Sequence, residues 1–200
     1  MNDPHRNGGA AAFADRRDSA CDDAELLRRI SKGDEDAMAA FYREHGKVEL
    51  AQVLLVTGER VLAEEIVQDT MLAVWRGAAS FRGESSVRSW VIAIARRQTR
   101  DRLRGRALRV VDDAFLADQP SSNPGPEVMA LDRAKLAEVK SAIQRLASDH
   151  RELLGLVFGS GLSLREAADV LEIPVGTVKS RLSAARTALN RILNEKGQNL

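Results

Sequence analysis

The chain has 200 residues, a formal net charge of +1, a 44% hydrophobic share and only 4% aromatics. A single cysteine, Cys21, excludes an internal disulfide framework and a cysteine metal cluster. No apolar run approaches the ~20 residues of a membrane span and no signal-peptide core opens the chain, so the sequence reads as a soluble cytoplasmic protein.

Residues 1–22 are Ala, Gly, Asp and Arg in no period and read as a disordered tail. From Asp23 the pattern turns helical, with almost no alternating β runs or hairpin turns. The periodicity predicts helices at 23–32, 34–45, 48–57, 60–78 and 87–105, then at 127–146, 149–159, 163–172 and 176–194. Between the two groups lies a stretch rich in Pro, Ser and Asp, running from Val110 to Glu127. The fold class is therefore all-α: a tail at 1–22, a helical domain at 23–107, a flexible acidic linker at 108–126 and a second helical domain at 127–197. Charge is segregated along this plan. Seven arginines and one acid, Asp101, fall between Ala95 and Arg109, while Asp112, Asp113, Asp118, Glu127 and Asp132 follow without a base. A basic block of this kind meets a polyanion.

Three stretches carry candidate chemistry. In "AEEIVQDTMLAVWR", Leu62, Ile66, Val67, Met71, Val74 and Trp75 line one broad side, with Leu62 just ahead of the stretch. Glu65, Gln68, Asp69, Leu72 and Arg76 form an exposed stripe at helical spacing. It reads either as a solvated face or as a docking face with a leucine at its centre, fit for a basic protein helix.

The second stretch, "SFRGESSVRSW", places Arg82, Gly83, Glu84, Ser85 and Ser86 between two anchors, Phe81 and Trp90. A small polar loop of this type can pocket an extruded base, and it can equally be an ordinary connection. In the helix that follows, Val91, Ile94 and Ala95 face inwards while Arg96, Arg97, Arg100 and Arg104 line the outer face. Arginines in such a row suit the phosphates of a DNA strand. Asp101 is placed to pair with Arg97.

The third stretch, Ser163 to Leu189, has the form of a helix-turn-helix. Ser163 and Glu166 make a capping box, Leu162 and Ala167 a staple, and Ile173-Pro174-Val175-Gly176 the corner. Val178, Leu182, Ala185, Leu189 and Ile192 form a core stripe. Thr177, Lys179, Ser180, Arg181, Ser183 and Arg186 gather donors near the N-terminus of the second helix, the part that enters a major groove.

"AEEIVQDTMLAVW", "SFRGESSVRSWVIAIARRQTRDRLR" and "LREAADVLEIPVGTVKSRLSAARTAL" together resemble a bacterial extracytoplasmic-function (group 4) sigma factor of the sigma-70 family, in order and spacing over nearly all of 23–195. The resemblance implies that 23–107 is a region 2-like domain and 127–197 a region 4-like domain. It implies that Glu65, Gln68, Asp69, Leu72 and Arg76 dock on the coiled coil of the largest RNA polymerase subunit, with the β-subunit flap as a second core contact. Arg82, Glu84, Ser85, Ser86, Arg96, Arg97 and Arg100 would bind the −10 element, and Thr177, Lys179, Ser180, Arg181, Ser183 and Arg186 the −35 element. The linker would thread the RNA exit path.

An anti-sigma factor, often membrane-anchored in this family, is implied as a further partner. Arg97 and Ala184 depart from the family's frequent Asn and Arg, and the 48–57 segment lacks an aromatic often found there. The competing readings are a stand-alone helix-turn-helix regulator and a helical adaptor that binds only proteins. His5, His45 and His150 are far apart in sequence and no phosphate-cradling glycine loop occurs, so no catalytic site, metal site or cofactor is predicted.

Overall fold

The computed structural model describes residues 23–110 and 138–197. The sequence-predicted tail with Cys21 and most of the linker lie outside these residues. Among the described residues the structure is helical, without strands: α1 (23–30), α2 (Glu35–Thr57), α3 (Arg60–Gly77), a 3-10 turn (Ala78–Ser80), α4 (Val87–Val110), α5 (138–144), α6 (Ser148–Leu154), a π turn (Gly155–Gly159), α7 (Leu164–Leu171) and α8 (Val175–Gly197). No helix among the described residues is long and apolar enough to cross a membrane.

The N-terminal domain is built on α1 to α4. Asp34 caps α2 by accepting from the Ala37 amide at 3.0 Å. Gly58 ends the helix at φ 72, donating its amide to the Leu54 carbonyl. The sequence divides this span into helices at 34–45 and 48–57, but α2 is continuous. One interior glycine costs only about 1 kcal/mol, and here Gly46 lies 3.4 Å (as an ideal Cβ) from the Tyr42 ring while both halves are packed on α3. Leu27, Ile30, Phe41, Val53, Ile66, Met71, Val74 and Val91 form the buried core, each side chain contributing about 1.5–3 kcal/mol of burial. His45 and Asp23, both buried, share a hydrogen bond of 2.8 Å, and the His45 ring lies against Phe41 at 4.3 Å. That pair ties α1 to α2.

The C-terminal domain folds α5 to α8 around Leu153, Leu156, Leu162, Val170, Leu171 and Val178, and around Ala142, Leu146, Leu154, Ala185 and Ile192. The helix predicted at 149–159 is instead α6 followed by a π turn. A Cβ on Gly155 would stand 2.2 Å from Gln52 Oε1 and 2.8 Å from Leu55 Cδ2 of α2, so the turn runs directly against the other domain.

The sequence treats the domains as separate bodies on a tether. In the structure they are docked: α2 packs on α6 and the π turn, and α4 on α7. Ile92 of α4 is 1% exposed and belongs to the C-terminal core cluster, not to its own domain's.

Candidate nucleic-acid interface

The corner of the helix-turn-helix follows from its residues. The Ser163 hydroxyl accepts from the Glu166 amide at 3.2 Å, and the Glu166 carboxylate accepts from the Ser163 amide at 2.9 Å, closing the predicted capping box. Glu172 ends α7 in the left-handed region at φ 58, a backbone cost of about 1–2 kcal/mol for a residue with a side chain. The Pro174 carbonyl then accepts from the Thr177 and Val178 amides and starts α8.

Val178 and Ala185 are fully buried and Ile192 nearly so, with Leu182 and Leu189 half-buried beside them. This stripe pins one side of α8 inside its domain. Lys179, Ser180, Ser183 and Arg186 are exposed, with Thr177 and Arg181 half-buried. The Ser180 hydroxyl donates to the Thr177 carbonyl at 3.0 Å, and Arg181 stands 3.6 Å from Asp149. Lys179 and Arg186 have no ionic partner among the described residues. The arrangement presents cationic and hydroxyl donors outward at a helix N-terminus, the geometry that reads base edges and phosphates.

The second basic face lies on α4. Phe81 and Trp90 pack at 5.3 Å between ring centres, anchoring the loop as predicted. Arg82, Glu84 and Ser85 are exposed, and Arg82 pairs loosely with Glu84 at 3.9 Å. Arg97, Arg100 and Arg104 are exposed and without ionic partners among the described residues. The predicted Asp101–Arg97 pair does not form. The next arginine, Arg102, reaches back to α3 instead, to Glu65 at 3.1 Å and Asp69 at 2.5 Å. Arg106 likewise pairs with Glu59, whose hydrogen bond holds the guanidinium pKa above its ordinary value.

Ser86 and Arg96 are engaged from across the domain boundary. Ser86 donates to Glu166 at 2.8 Å, joined by Ser89 at 3.3 Å. Arg96 donates to Glu152 at 2.8 Å in a pair that is about four-fifths buried. Arg88, which the sequence reading passes over, donates to the Ser160 carbonyl at 3.3 Å. Burial pushes the Glu166 carboxyl up, but hydrogen bonds from the Ser163 backbone and from the Ser86, Ser163 and Ser89 hydroxyls outweigh it and leave it below the usual carboxylate range. No spacing rule links 86 to 166 or 96 to 152, so these contacts had no signal in the sequence.

The candidate docking stripe is one face, as its spacing predicts. Glu65, Gln68 and Arg76 are exposed, Asp69 is half-buried, and Leu72 keeps 51% of its surface in water. Beside it runs an apolar groove between α2 and α3, walled by Met38, Tyr42, Met71, Leu72 and Trp75. Tyr42 is 50% exposed. Met38 and Tyr42 were missed, although their i, i+4 spacing beside polar residues was a readable sign of a second apolar edge. Elsewhere, Asp23, Glu44 and His45 bring ligand-type atoms within 4.8 Å of one another. Asp23 and His45 satisfy each other there, and the group reads as a structural tie.

A helix-turn-helix with outward cationic donors, a second basic helix beside a polar loop, and a separate exposed stripe with a leucine at its centre are features of the helix-turn-helix class of DNA-binding proteins. The comparisons make this specific. Residues 41–109 match the model of sigma-70 region 2 and residues 136–189 that of sigma-70 region 4. The ECF RNA polymerase sigma factor SigL of Mycobacterium tuberculosis is 34% identical over 80% of this chain and 90% of its own length. The RNA polymerase sigma factor NccH of Alcaligenes xylosoxydans xylosoxydans is 33% identical over 86% of this chain and 94% of its own. Among solved structures, the sigma factor RpoE of Bartonella quintana, in complex with the anti-sigma factor NepR, superposes with a TM-score of 0.66 at 29% identity, covering 78% of this chain and 97% of that one. The chain belongs to the extracytoplasmic-function branch of the sigma-70 family and is a sigma factor. These relationships do not favour the stand-alone regulator.

Proposed function

We propose that this chain, as a group 4 sigma factor in the cytoplasm, docks on core RNA polymerase and directs it to promoters with two separated elements. Glu65, Gln68, Asp69, Leu72 and Arg76 form the contact for the largest-subunit coiled coil, extended by Met38 and Tyr42 along the α2–α3 groove. The C-terminal domain meets the β-subunit flap. Thr177, Lys179, Ser180, Arg181, Ser183 and Arg186 read the −35 element. Arg82, Glu84, Ser85, Ser86, Arg96, Arg97 and Arg100 bind the −10 element.

Strand opening on this reading is driven by capture: a base that leaves the stack is held in the loop after Phe81 while the arginine row neutralises its backbone. The chain carries out no bond chemistry of its own. An anti-sigma factor, membrane-anchored on this reading, holds it in reserve, by analogy with the relative crystallised with NepR.

The observation that carries the reading is the pairing of two outward basic faces with a distinct docking stripe on one chain. Core binding tests it. Gln68→Ala with Asp69→Ala is expected to abolish capture by core polymerase with the helical fold intact. A double variant that binds core like the parent would remove the stripe from this role.

A further inference from the structure

The stripe proposed to dock on core polymerase is already partly filled from within the chain. Glu65, Asp69 and Leu72 follow one another along α3 at one-turn spacing, so the two carboxylates lie side by side. Arg102 of α4 spans them, its Nη1 donating to Glu65 Oε2 at 3.1 Å and its Nη2 to Asp69 Oδ2 at 2.5 Å. Arg76 stands at the far end of the same face, so the two acids and two arginines cancel in charge. A neutral stripe exerts little long-range pull on a basic helix. We propose that Arg102 is the internal occupant of this stripe, seated where a basic side chain of the partner binds, and that docking exchanges it and releases the end of α4.

The exchange is cheap and leaves a strongly anionic seat. Arg102, Glu65 and Asp69 each keep about half of their side-chain surface in water, and exposed ion pairs of this kind are weak and readily replaced. Asp69, Gln98 and Asp101 border a groove of about 690 Å³ beside Arg102. Asp101 has no ionic partner among the described residues. With Arg102 displaced, three carboxylates, Glu65, Asp69 and Asp101, border the place that a cation of the partner takes.

Arg102 also holds down its own helix. Val91 and Ala95 of α4 are buried against the N-terminal core, but residues 100–106 are all exposed. A groove of about 430 Å³ separates the start of α3 from the end of α4, bordered by Val61, Leu62, Asp101 and Gly105. An ideal Cβ on Gly105 meets nothing within 4 Å. What crosses this groove is charge: Arg102 to Glu65 and Asp69, and Arg106 to Glu59. A helix end held to its neighbour by exposed ion pairs, without apolar contact, opens at low cost. Arg100 and Arg104, two members of the outward arginine row, sit on that end. Filling the stripe therefore loosens the part of α4 proposed to meet DNA, and so couples docking to promoter contact.

This deepens the reading of the stripe as the core contact and rests on it, and the variants separate the two. Association of the full-length chain with sigma-free core polymerase is followed at about 0.1 M and about 1 M salt, where the screening length falls from about 10 Å to about 3 Å. Arg102→Gln, with circular dichroism as helical as the parent's, should associate about two- to fivefold faster at the lower salt. The advantage should vanish at the higher salt, which a merely structural role would not produce. In a Glu65→Gln chain the same change should give a smaller gain, because one of its two carboxylates is already gone. Amide exchange over residues 100–106 should be faster in free Arg102→Gln than in the free parent, and in the parent it should rise when core binds. Arg102→Gln that associates no faster than the parent, while Gln68→Ala with Asp69→Ala loses core, overturns the exchange and leaves the docking stripe standing. Parent-like core binding by both of these variants removes the stripe from docking, and the exchange falls with it. A gain undiminished by Glu65→Gln shows that Arg102 acts by bulk charge, and amide exchange that slows on core binding shows that it stays seated; either result overturns the proposal.

Discussion

Helices α4 and α8 both carry a row of basic residues, but they differ in how many of their sides are spoken for. In α8 one stripe, Val178, Ala185 and Ile192, is buried in its own domain, and the donors on its other sides face water. In α4 Val91 and Ala95 are buried in one domain, while Ile92 and Arg96 are covered by the other. A helix with a single buried stripe has its free faces fixed by periodicity alone. A helix clasped from two directions does not, and part of its apparently open basic face is occupied.

Phe41 sits at the centre of the N-terminal core and is fully buried. Phe41→Ala should cost about 3–5 kcal/mol. Thermal melts should show loss of the domain that presents α4, with the α8 domain retaining its own transition. A single unchanged transition would show that the two faces are not independently supported.

Lys179→Ala and Arg181→Ala sharpen the contrast on the α8 side. Each should weaken −35 binding by about 1–3 kcal/mol if it reads a base. Equal losses on all sequences, with a shallower salt dependence, would place that residue on phosphate instead. Arg181 also stands near Asp149, so part of its effect should appear in stability.

Removing the helix cap with Ser163→Ala should cost about 1 kcal/mol and should also loosen Glu166 from the Ser86–Ser89 pair. The loss is read as a lower melting temperature, and an unchanged one would show that the cap contributes nothing to stability.

The remaining prediction concerns Glu49 and is read through its dependence on pH. Desolvation pushes its carboxyl up to about 8, partly opposed by Arg88. The charged groups on α6, which packs against α2, are Asp149, Arg151 and Glu152, with the titratable His150 beside them. A carboxyl raised in the folded state binds more protons there than when unfolded. Its contribution is therefore fully present below about pH 4.5 and is lost as pH rises to about 8. Glu49→Gln should be near neutral at about pH 5 and stabilising at about pH 9 relative to the parent, read as a difference in melting temperature. A difference independent of pH would mean that Glu49 is not held neutral.

Much of this was legible beforehand because it is local. The capping box at Ser163–Glu166, the buried stripe of α8, the exposed stripe through Leu72 and the Phe81–Trp90 anchors all follow from spacing within a few turns. What was not legible is non-local. Arg102 turns back to Glu65 and Asp69, 37 and 33 residues away, so Asp101 is left without its predicted partner. Ile92 looks like any inward residue of an amphipathic helix until the second domain is present to cover it. The periodicity divides 34–57 into two helices on either side of Gly46, whereas packing on α3 carries α2 through as one. Gly155 shows the reverse: its backbone angles are helical, and it is Gln52 and Leu55 of the neighbouring domain that leave no room for a side chain.

The most direct test of the account is to mix the purified chain with sigma-free bacterial core polymerase and genomic DNA fragments and to map transcript starts. The account predicts discrete starts sharing two upstream boxes a fixed distance apart, lost together in the Gln68→Ala, Asp69→Ala chain. No discrete starts, with duplex binding retained by the chain alone, would contradict it.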